Sequence, residues 1–133
     1  MLADDHLGAT REDFSDPINP AYVRAFEAIA NDKNNELIVV ELDGVVVGTL
    51  QMTIYPNLSF KGANRCHIQS VRIKSELRGH GLGSQLMRWS AERAREKGCV
   101  MIELASNKKR PDAIRFYEQL GYEPSHVGFK LML

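Results

Sequence analysis

The most constraining feature of this sequence is a strand, a glycine-rich turn and a helix that follow one another directly. The alternation at Val71–Ile73 predicts the end of a strand, and the three glycines within Gly79–Gly83 predict a sharp turn. An amphipathic pattern from Leu82 to about Lys97 then predicts a helix. The start of a helix offers N–H groups without intrahelical partners and the positive end of the helix dipole. We therefore expect an anion-binding pocket at the turn, with phosphate as the favoured ligand.

The glycine turn alone does not identify a class of phosphate-binding protein. No Gly-Lys-Ser/Thr follows it, which excludes a Walker loop. The glycine spacing and the missing downstream acidic residue also differ from a dinucleotide-binding fingerprint. Without further evidence, a flexible surface loop is an equally good interpretation of the turn.

A second motif lies downstream, at Ala113–Tyr122, and contains Phe-Tyr-x-x-Leu-Gly-Tyr. A Val-x-Ile strand, the turn Arg78–Gly83 and this motif, in that order, resemble the GCN5-related N-acetyltransferase (GNAT) superfamily over about residues 36–133. The resemblance implies an α/β fold with a mixed sheet and acetyl-CoA as the co-substrate. It also implies acetyl transfer to a primary amine of a small molecule or a protein, by direct attack within a ternary complex.

The hydrophobic patterns predict the elements of a single domain over residues 1–133. An Asn-Pro start predicts a helix that runs from Pro20 to about Asn31, and Asp43-Gly44 predicts a hairpin turn. Further strands are predicted at Glu36–Leu42, Val45–Ile54, Arg65–Lys74, Cys99–Ala105 and Val127–Leu133, with a loop at 56–64 and a last helix between Pro111 and Gly121. The resemblance implies a further strand and helix at the start of the domain, and we expect this chain to lack them. An open sheet edge would result, which predicts a homodimer.

Composition narrows the class of protein further. The 133 residues are 44% hydrophobic and 26% charged, with a net charge of zero, which argues against nucleic acid as the main partner. Residues 61–115 hold 13 lysines and arginines against 5 acidic residues, as expected of a region that binds a polyanionic co-substrate. The chain has no apolar run of membrane-spanning length and no signal-peptide pattern, and its two cysteines suit a reduced compartment. We expect a cytoplasmic protein without a metal site, since no Cys/His cluster has ligand spacing.

The resemblance implies which residues bind acetyl-CoA. The diphosphate would lie on the backbone of the turn, and the pantetheine amides would pair with the backbone of Val71 and Ile73, where an N–H can also bond the thioester oxygen. The implied co-substrate residues are Val71, Arg72, Ile73, Arg78, Gly79, His80, Gly81, Leu82, Gly83, Ser84 and Asn107. Plain core packing is the other interpretation of Val71 and Ile73, and the two interpretations are compatible.

Tyr117 matches the family tyrosine whose hydroxyl lies near the CoA sulfur, so the resemblance implies that it protonates the leaving thiolate. The general base is open, because Gln69 stands where relatives commonly have a glutamate, and a glutamine cannot accept a proton. His67 on the same strand face is one candidate, and Glu103 is another if burial raises its pKa. A water chain leading to either is a third possibility. Structural roles are open alternatives for Tyr117 and His67.

Two further questions stay open at this point. The acidic residues Asp4, Asp5, Glu12 and Asp13 could line an amine site or simply form an acidic surface. The runner-up function is a catalytically degenerate acetyl-CoA-binding or assembly module, which Gln69 and the shortened N-terminus favour.

Overall fold

Most helices and strands follow the predicted order. The computed structural model describes residues 1–2, 4, 8–10, 12–13 and 15–133. The elements are α1 (Pro20–Asn31), β1 (Asn35–Leu42), β2 (Val45–Pro56), the one-turn helix α2 (Ser59–Gly62), β3 (Asn64–Ile73), a 3-10 turn (Ser75–Leu77), α3 (Leu82–Glu96), β4 (Cys99–Leu104) and α4 (Pro111–Gln119). The helix α2 is the one element within the predicted loop 56–64. The part of the chain that the structure describes has no helix long and apolar enough to cross a membrane.

The strands form a mixed four-stranded sheet in the order β1-β2-β3-β4. Strands β1 and β2 pair antiparallel, as do β2 and β3. The hairpin turn between β1 and β2 has positive φ at both Asp43 and Gly44, the geometry that the Asp-Gly pair predicts. Between β3 and β4 the chain passes through α3, which is the type of crossover that joins parallel strands. The predicted mixed α/β fold is therefore confirmed.

One face of the sheet carries the hydrophobic core and packs against α3. Its fully buried side chains include Leu50, Met52, Cys66, Ile68 and Met87. Within the sheet, Gly48 is closely approached by β3, because an added Cβ would lie 2.6 Å from Cδ1 of Ile73 and 3.0 Å from the carbonyl oxygen of Arg72. The packing of α3 on this face holds the N-terminus of the helix at the end of β3.

The chain divides into two compact units, residues 1–103 and residues 104–133. The second unit contains α4, which begins at Pro111 as predicted and ends before Gly121. The predicted strand Val127–Leu133 is wrong, since this segment has no regular secondary structure, and Phe129 and Leu131 are 94% and 83% exposed. A strand forms only where a neighbour accepts its backbone hydrogen bonds, and an alternating apolar pattern does not supply one.

Candidate functional site

A bulge interrupts β3 just before the glycine turn. Thr49 pairs with Arg72 and Gln51 pairs with Gln69, so Leu50 alone lies opposite both Ser70 and Val71. Ser70 has a φ of 55°, which is unusual for a residue other than glycine. A bulge of this kind leaves an extra residue out of the hydrogen-bond ladder. The regular pairing of β2 with β3 is therefore interrupted at Ser70 and Val71.

The bulge also exchanges the two faces of the strand. Before it, the even-numbered Cys66 and Ile68 are buried, whereas after it the odd-numbered Ile73 is buried. Val71 thus has its side chain on the core face together with Ile73. Core packing of the side chain and ligand binding by the backbone of Val71 are therefore compatible, as the sequence predicts.

The glycine turn has the predicted conformation. Gly79 and Gly81 have φ values of 78° and 84°, and a Cβ added to either would meet nothing within 4 Å. The left-handed backbone, together with the open space in front of it, explains why glycine is needed here. Gly81 caps α3 without a side-chain hydrogen bond, and the first N–H to reach the carbonyl of Gly81 is that of Gln85. The N–H groups of residues 82–84 precede it and have no acceptor within the helix.

Arg78 holds the turn against the end of β3. Its Nε donates to the carbonyl of Ile73 at 3.0 Å, and its Nη2 donates to the carbonyl of Asp4 at 2.9 Å. The Asp4 carboxylate accepts from the backbone N–H of Ser75 at 3.0 Å, which is the main reason that its pKa is lowered. His80 places Nδ1 2.9 Å from the carbonyl of Arg78 and is exposed. Asp4 and Arg78 therefore have a structural part in forming the turn.

The other predicted acidic candidates also have local partners. Glu12 accepts from the hydroxyl of Tyr22, and Asp13 accepts from the side chain of Asn19, each at 2.9 Å. Asp5 lies outside the described residues. The hydrogen bonds of Glu12 and Asp13 favour the structural interpretation over an amine site.

The face of the sheet opposite the core carries a polar strip that ends at the bulge. The register places Gln51, Thr53 and Tyr55 of β2 opposite Gln69, His67 and Arg65 of β3, respectively. From β1, the amide oxygen of Asn35 accepts from the hydroxyl of Thr53 at 2.6 Å and from the amide of Gln51 at 3.0 Å. His67 and Gln69 therefore share a face, as predicted.

Glu103 of β4 joins the far end of this polar strip. Its Oε2 accepts from the hydroxyl of Tyr55, and its Oε1 accepts from Nη1 of Arg65 at 2.7 Å. The hydrogen bond from Tyr55 is the main cause of a lowered pKa of Glu103, and the positive charge of Arg65 acts in the same direction. The condition under which Glu103 is a candidate base, a pKa raised by burial, is therefore not met, because hydrogen bonds and positive charge outweigh desolvation.

Tyr55 and Arg65 are not among the site residues that the sequence predicts. A signal for both existed in the alternation of polar side chains along β2 and β3. This alternation does not predict their hydrogen bonds to Glu103, because those bonds depend on how β4 lies beside the hairpin strands.

Asn107 and Tyr117 lie in the second unit, residues 104–133. The amide oxygen of Asn107 accepts from the backbone N–H of Lys109 at 2.9 Å, so Asn107 caps the turn that leads to α4. The ring of Tyr117 makes edge contacts with Phe116 and Tyr122, with centroids 5.2 and 5.9 Å apart. These contacts fix the ring, and the role of its hydroxyl stays a prediction.

The described residues give little support for a metal site or a nucleophilic cysteine. They include no group of three His, Cys, Asp or Glu side chains that could hold a metal ion. Burial raises the pKa of Cys66 to about 12, so its side chain is a thiol rather than a nucleophilic thiolate at neutral pH. An apolar groove between β1 and α3 is lined by Ile38, Val39, Val40, Gln85, Leu86 and Trp89, none of which is a predicted site residue.

Comparisons with known proteins show the family to which the chain belongs. The sequence profile of the Acetyltransferase (GNAT) family matches residues 4–122. An aminoalkylphosphonate N-acetyltransferase of Salmonella typhimurium is 36% identical over 110 residues, which cover 82% of this chain and 70% of that protein. A glucosamine 6-phosphate N-acetyltransferase of Trypanosoma brucei brucei is 35% identical over 90 residues, covering 68% of this chain and 59% of that protein.

Solved structures show the same fold. A transcriptional regulator from Bacillus halodurans matches with a TM-score of 0.97 and 52% identity, over 100% of this chain and 89% of that one. A Trypanosoma brucei acetyltransferase matches with a TM-score of 0.72 and 27% identity, over 88% and 82% of the two chains. With a family profile that covers most of the residues and relatives that are N-acetyltransferases, the chain belongs to the GNAT family of acetyltransferases.

Proposed function

We propose that this chain transfers an acetyl group from acetyl-CoA to a primary amine. The observation that carries the proposal is the bulge at Ser70, which lies a few residues before the glycine turn and the N-terminus of α3. The bulge offers a backbone donor for a thioester oxygen, and the turn offers several donors for a diphosphate. A single continuous segment thus carries donors for both the reacting end and the charged end of acetyl-CoA.

Backbone N–H groups are the expected contacts of the co-substrate. Residues 79–84 would hold the diphosphate, in line with the open space beside Gly79 and Gly81. The carbonyl of Val71 already accepts from Nη1 of Arg72 at 2.8 Å, and that of Ile73 accepts from Arg78. We therefore expect pantetheine to depend more on the N–H groups of this segment than on its carbonyls. Arg72 and Arg78 act by orienting the backbone.

The proposed reaction is a direct transfer. The amine nitrogen attacks the thioester carbon, a C–N bond forms, and the C–S bond breaks. The N–H of Val71 stabilises the charge that develops on the carbonyl oxygen. His67, directly or through water, takes the proton that the amine loses. Tyr117 donates a proton to the leaving sulfur, which a phenol with a pKa of about 10 can do for a thiolate whose acid has a pKa of about 8.5.

A small-molecule amine is the favoured acceptor. The Salmonella and trypanosomal relatives are named for small amines that carry a phosphonate or a phosphate group. Those names describe the relatives, and a protein amine is the alternative for this chain. The test is release of the free CoA thiol from acetyl-CoA in the presence of a panel of aminoalkylphosphonates, amino sugar phosphates and lysine-containing peptides. Amine-dependent release supports the proposal, and its absence across the panel contradicts it.

A non-catalytic acetyl-CoA-binding or assembly module is the second candidate. Gln69 at the usual acid position favours it, and so does the description of the 52% identical Bacillus halodurans protein as a transcriptional regulator. Tight CoA binding by calorimetry without turnover of any amine in the panel would support this module. Turnover would exclude it.

Two further properties belong to the proposal. We infer a cytoplasmic location, supported by two free cysteines, Cys66 and Cys99. We also infer a homodimer, supported by apolar side chains on β1, which is an edge strand of the described sheet.

A further inference from the structure

A short segment, residues 73–78, joins the bulge of β3 to the glycine turn. It contains the end of β3 and the 3-10 turn Ser75–Leu77. The segment is tied to the sheet near its start, because the N–H of Lys74 donates to the carbonyl of Val47 at 2.8 Å. The backbone bonds that follow join residues three positions apart and are local to the 3-10 turn. The position of the glycine turn relative to the bulge therefore depends on what else holds this segment.

Asp4 holds the segment at two places, although it lies 71 and 74 positions away from them in the chain. Its Oδ2 accepts from the backbone N–H of Ser75 at 3.0 Å, and its Oδ1 accepts from the hydroxyl of Ser75 at 3.3 Å. Its backbone carbonyl accepts from Nη2 of Arg78 at 2.9 Å, and its carboxylate lies 3.5 Å from the same nitrogen. These bonds connect the segment to a distant part of the sequence.

The carboxylate of Asp4 supplies a cap that the local sequence lacks. The 3-10 turn begins after Lys74, whose side chain makes no capping hydrogen bond. The first N–H groups of a helical turn have no partner within it, so an oxygen that accepts from one of them stabilises the start of the turn. The bond from the N–H of Ser75 is the largest cause of the lowered pKa of Asp4. The carboxylate is therefore ionised at neutral pH, and the bond is a charge-assisted one.

Arg78 fixes the other end of the 3-10 turn. Its Nε donates to the carbonyl of Ile73 at 3.0 Å, so its guanidinium is folded back onto the end of β3. The same guanidinium donates to Asp4 through Nη2. Both ends of the 3-10 turn are thus held against Asp4, and the span between the bulge and the glycine turn is set.

We propose that Asp4 is a positioning residue for acetyl-CoA, which sets the spacing between the bulge of β3 and the glycine turn. This proposal rests on the proposed function, in which these two places bind the thioester end and the diphosphate end of one molecule. A loose connection between them would have to be ordered when the co-substrate binds, and that ordering would weaken the affinity. Asp4 orders the connection beforehand and takes no part in proton transfer.

Calorimetry of CoA binding in the absence of an amine tests this role. Asp4→Ala removes the carboxylate but leaves the backbone carbonyl for Arg78, and the CoA affinity should fall about tenfold. Asp4→Asn keeps an oxygen for the N–H of Ser75 and should recover most of this loss. In steady-state kinetics the KM for acetyl-CoA should rise accordingly, whereas kcat and the KM for the amine should hardly change. An unchanged CoA affinity of Asp4→Ala would overturn the proposal, and so would equal losses in the two variants.

Asp13→Ala is the matched control. Asp13 also precedes α1 and has a lowered pKa, because it accepts from the side chain of Asn19 and from the N–H of Ser15, each at 2.9 Å. Both partners lie within six positions of it, so it holds no distant segment. Its substitution should leave the CoA affinity unchanged. An equal fall in affinity would show that any loss of a carboxylate before α1 has this effect, and it would overturn the specific role of Asp4.

Hydrogen exchange in the wild-type protein needs no variant that folds. If the contact between Asp4 and Ser75 favours CoA binding, bound CoA must favour this contact by the same factor. Exchange of the Ser75 amide, followed by NMR, should therefore slow about tenfold at saturating CoA, whereas the amide of Ser15 should keep its rate. An unchanged rate at Ser75 would overturn the proposal.

The calorimetric test also separates this proposal from the proposed acetyl transfer. If the protein binds CoA but acetylates no amine in the panel, acetyl transfer fails, and a loss of affinity in Asp4→Ala still supports the positioning role. If acetylation occurs and Asp4→Ala binds CoA as the wild type does, the positioning role alone fails. A wild-type protein that binds no CoA would overturn both.

Discussion

At the scale of single residues, Gln69 cannot act as the general base, so the candidates for that role are its neighbours. The pKa of Glu103 is lowered and both of its oxygens accept hydrogen bonds, so it is poorly suited to take a proton at neutral pH. His67, two residues before Gln69 and on the same face, is the remaining candidate from the sequence. Histidine side chains exchange protons readily near neutral pH.

We predict that His67→Gln lowers the turnover rate by about 10²-fold, since this is the lower range for loss of a positioned base. Single-turnover kinetics across pH 5–9 would measure the change, and the acid limb of the rate profile should flatten. Adding Gln69→Glu in the same chain supplies a carboxylate on the same face and should restore part of the rate. Wild-type turnover by His67→Gln would show that water or another group accepts the proton.

Tyr117→Phe keeps the ring and its contacts with Phe116 and Tyr122 but removes the proton donor. We expect turnover to fall by about 10²-fold, with little change in stability or CoA affinity. The loss should shrink with an acetyl donor whose thiol is more acidic, because a better leaving group needs less protonation. Tyr122→Phe is the control from the same aromatic group. If Tyr117→Phe turns over at the wild-type rate while chemistry is rate-limiting, the tyrosine is a packing residue.

At the scale of elements, the turn and the N-terminus of α3 act as one unit. Gly81 combines a left-handed backbone with open space on the side where a phosphate would lie. Gly98 at the other end of α3 has a similar φ of 74° and similar open space. Substitutions of Gly81 and Gly98 should therefore strain the backbone equally, and only the substitution of Gly81 should also block the ligand.

We expect Gly81→Val to weaken CoA binding about tenfold or more, which is about 1.4 kcal/mol, because a branched side chain would fill the phosphate position. Calorimetry would measure the affinity, and circular dichroism would check the fold. Gly98→Val should lose similar stability and keep its CoA affinity. Equal CoA affinities for the wild type and Gly81→Val would show that CoA does not bind at this turn.

At the scale of the whole molecule, one ion cluster ties the first strand to the main helix. Glu36 at the start of β1 accepts from Nε and Nη2 of Arg93 at 2.9 and 2.7 Å, and Nζ of Lys97 lies 2.8 Å away. The side chain of Glu36 is only 17% exposed. The hydrogen bonds from Arg93 are the main reason that the pKa of Glu36 falls from 4.5 to about 2.

Because the pKa of Glu36 is lower in the folded state, its contribution to stability is present above pH 4.5 and is lost as the pH falls towards 2. We expect Glu36→Gln to lower the free energy of unfolding by about 1.5–3 kcal/mol at pH 7, as for hydrogen bonds to charged groups. Urea unfolding at several pH values should show this gap closing between pH 4.5 and pH 2. A gap of the same size at both ends would contradict the role of the ionised carboxylate.

The self-association of the chain is a separate prediction. Leu37 and Val39 of the edge strand β1 are 42% and 53% exposed, and Trp89 beside the apolar groove is 46% exposed. Apolar edges of this kind favour pairing with another chain. Light scattering at high micromolar concentration should show a dimer, and Val39→Lys should shift it towards the monomer. A monomer in the wild-type protein at that concentration would contradict the prediction.

Much of the fold was readable from the sequence because its signals are local. The spacing of apolar residues and Gly98 set the bounds of α3 within one residue, and Asp43-Gly44 set the hairpin turn. The segment Val127–Leu133 shows the limit of such signals. Its alternating apolar pattern is typical of a strand, but a strand also needs a partner for its backbone, and nothing within this segment supplies one.

The same distinction between local and long-range signals applies to the candidate site. The glycine turn was determined by the sequence itself, since the backbone conformations and the helix start that form an anion pocket lie within a few consecutive residues. The tertiary structure alone decided the bulge at Ser70, because a bulge exists only relative to the register of β2 against β3. It also decided the hydrogen bonds of Glu103, because Arg65 and Tyr55 lie 38 and 48 positions before it in the chain. Hydrogen bonds between such distant residues outweigh burial and lower the pKa of Glu103, and for that reason its role could not be read from a lone acid in an apolar strand.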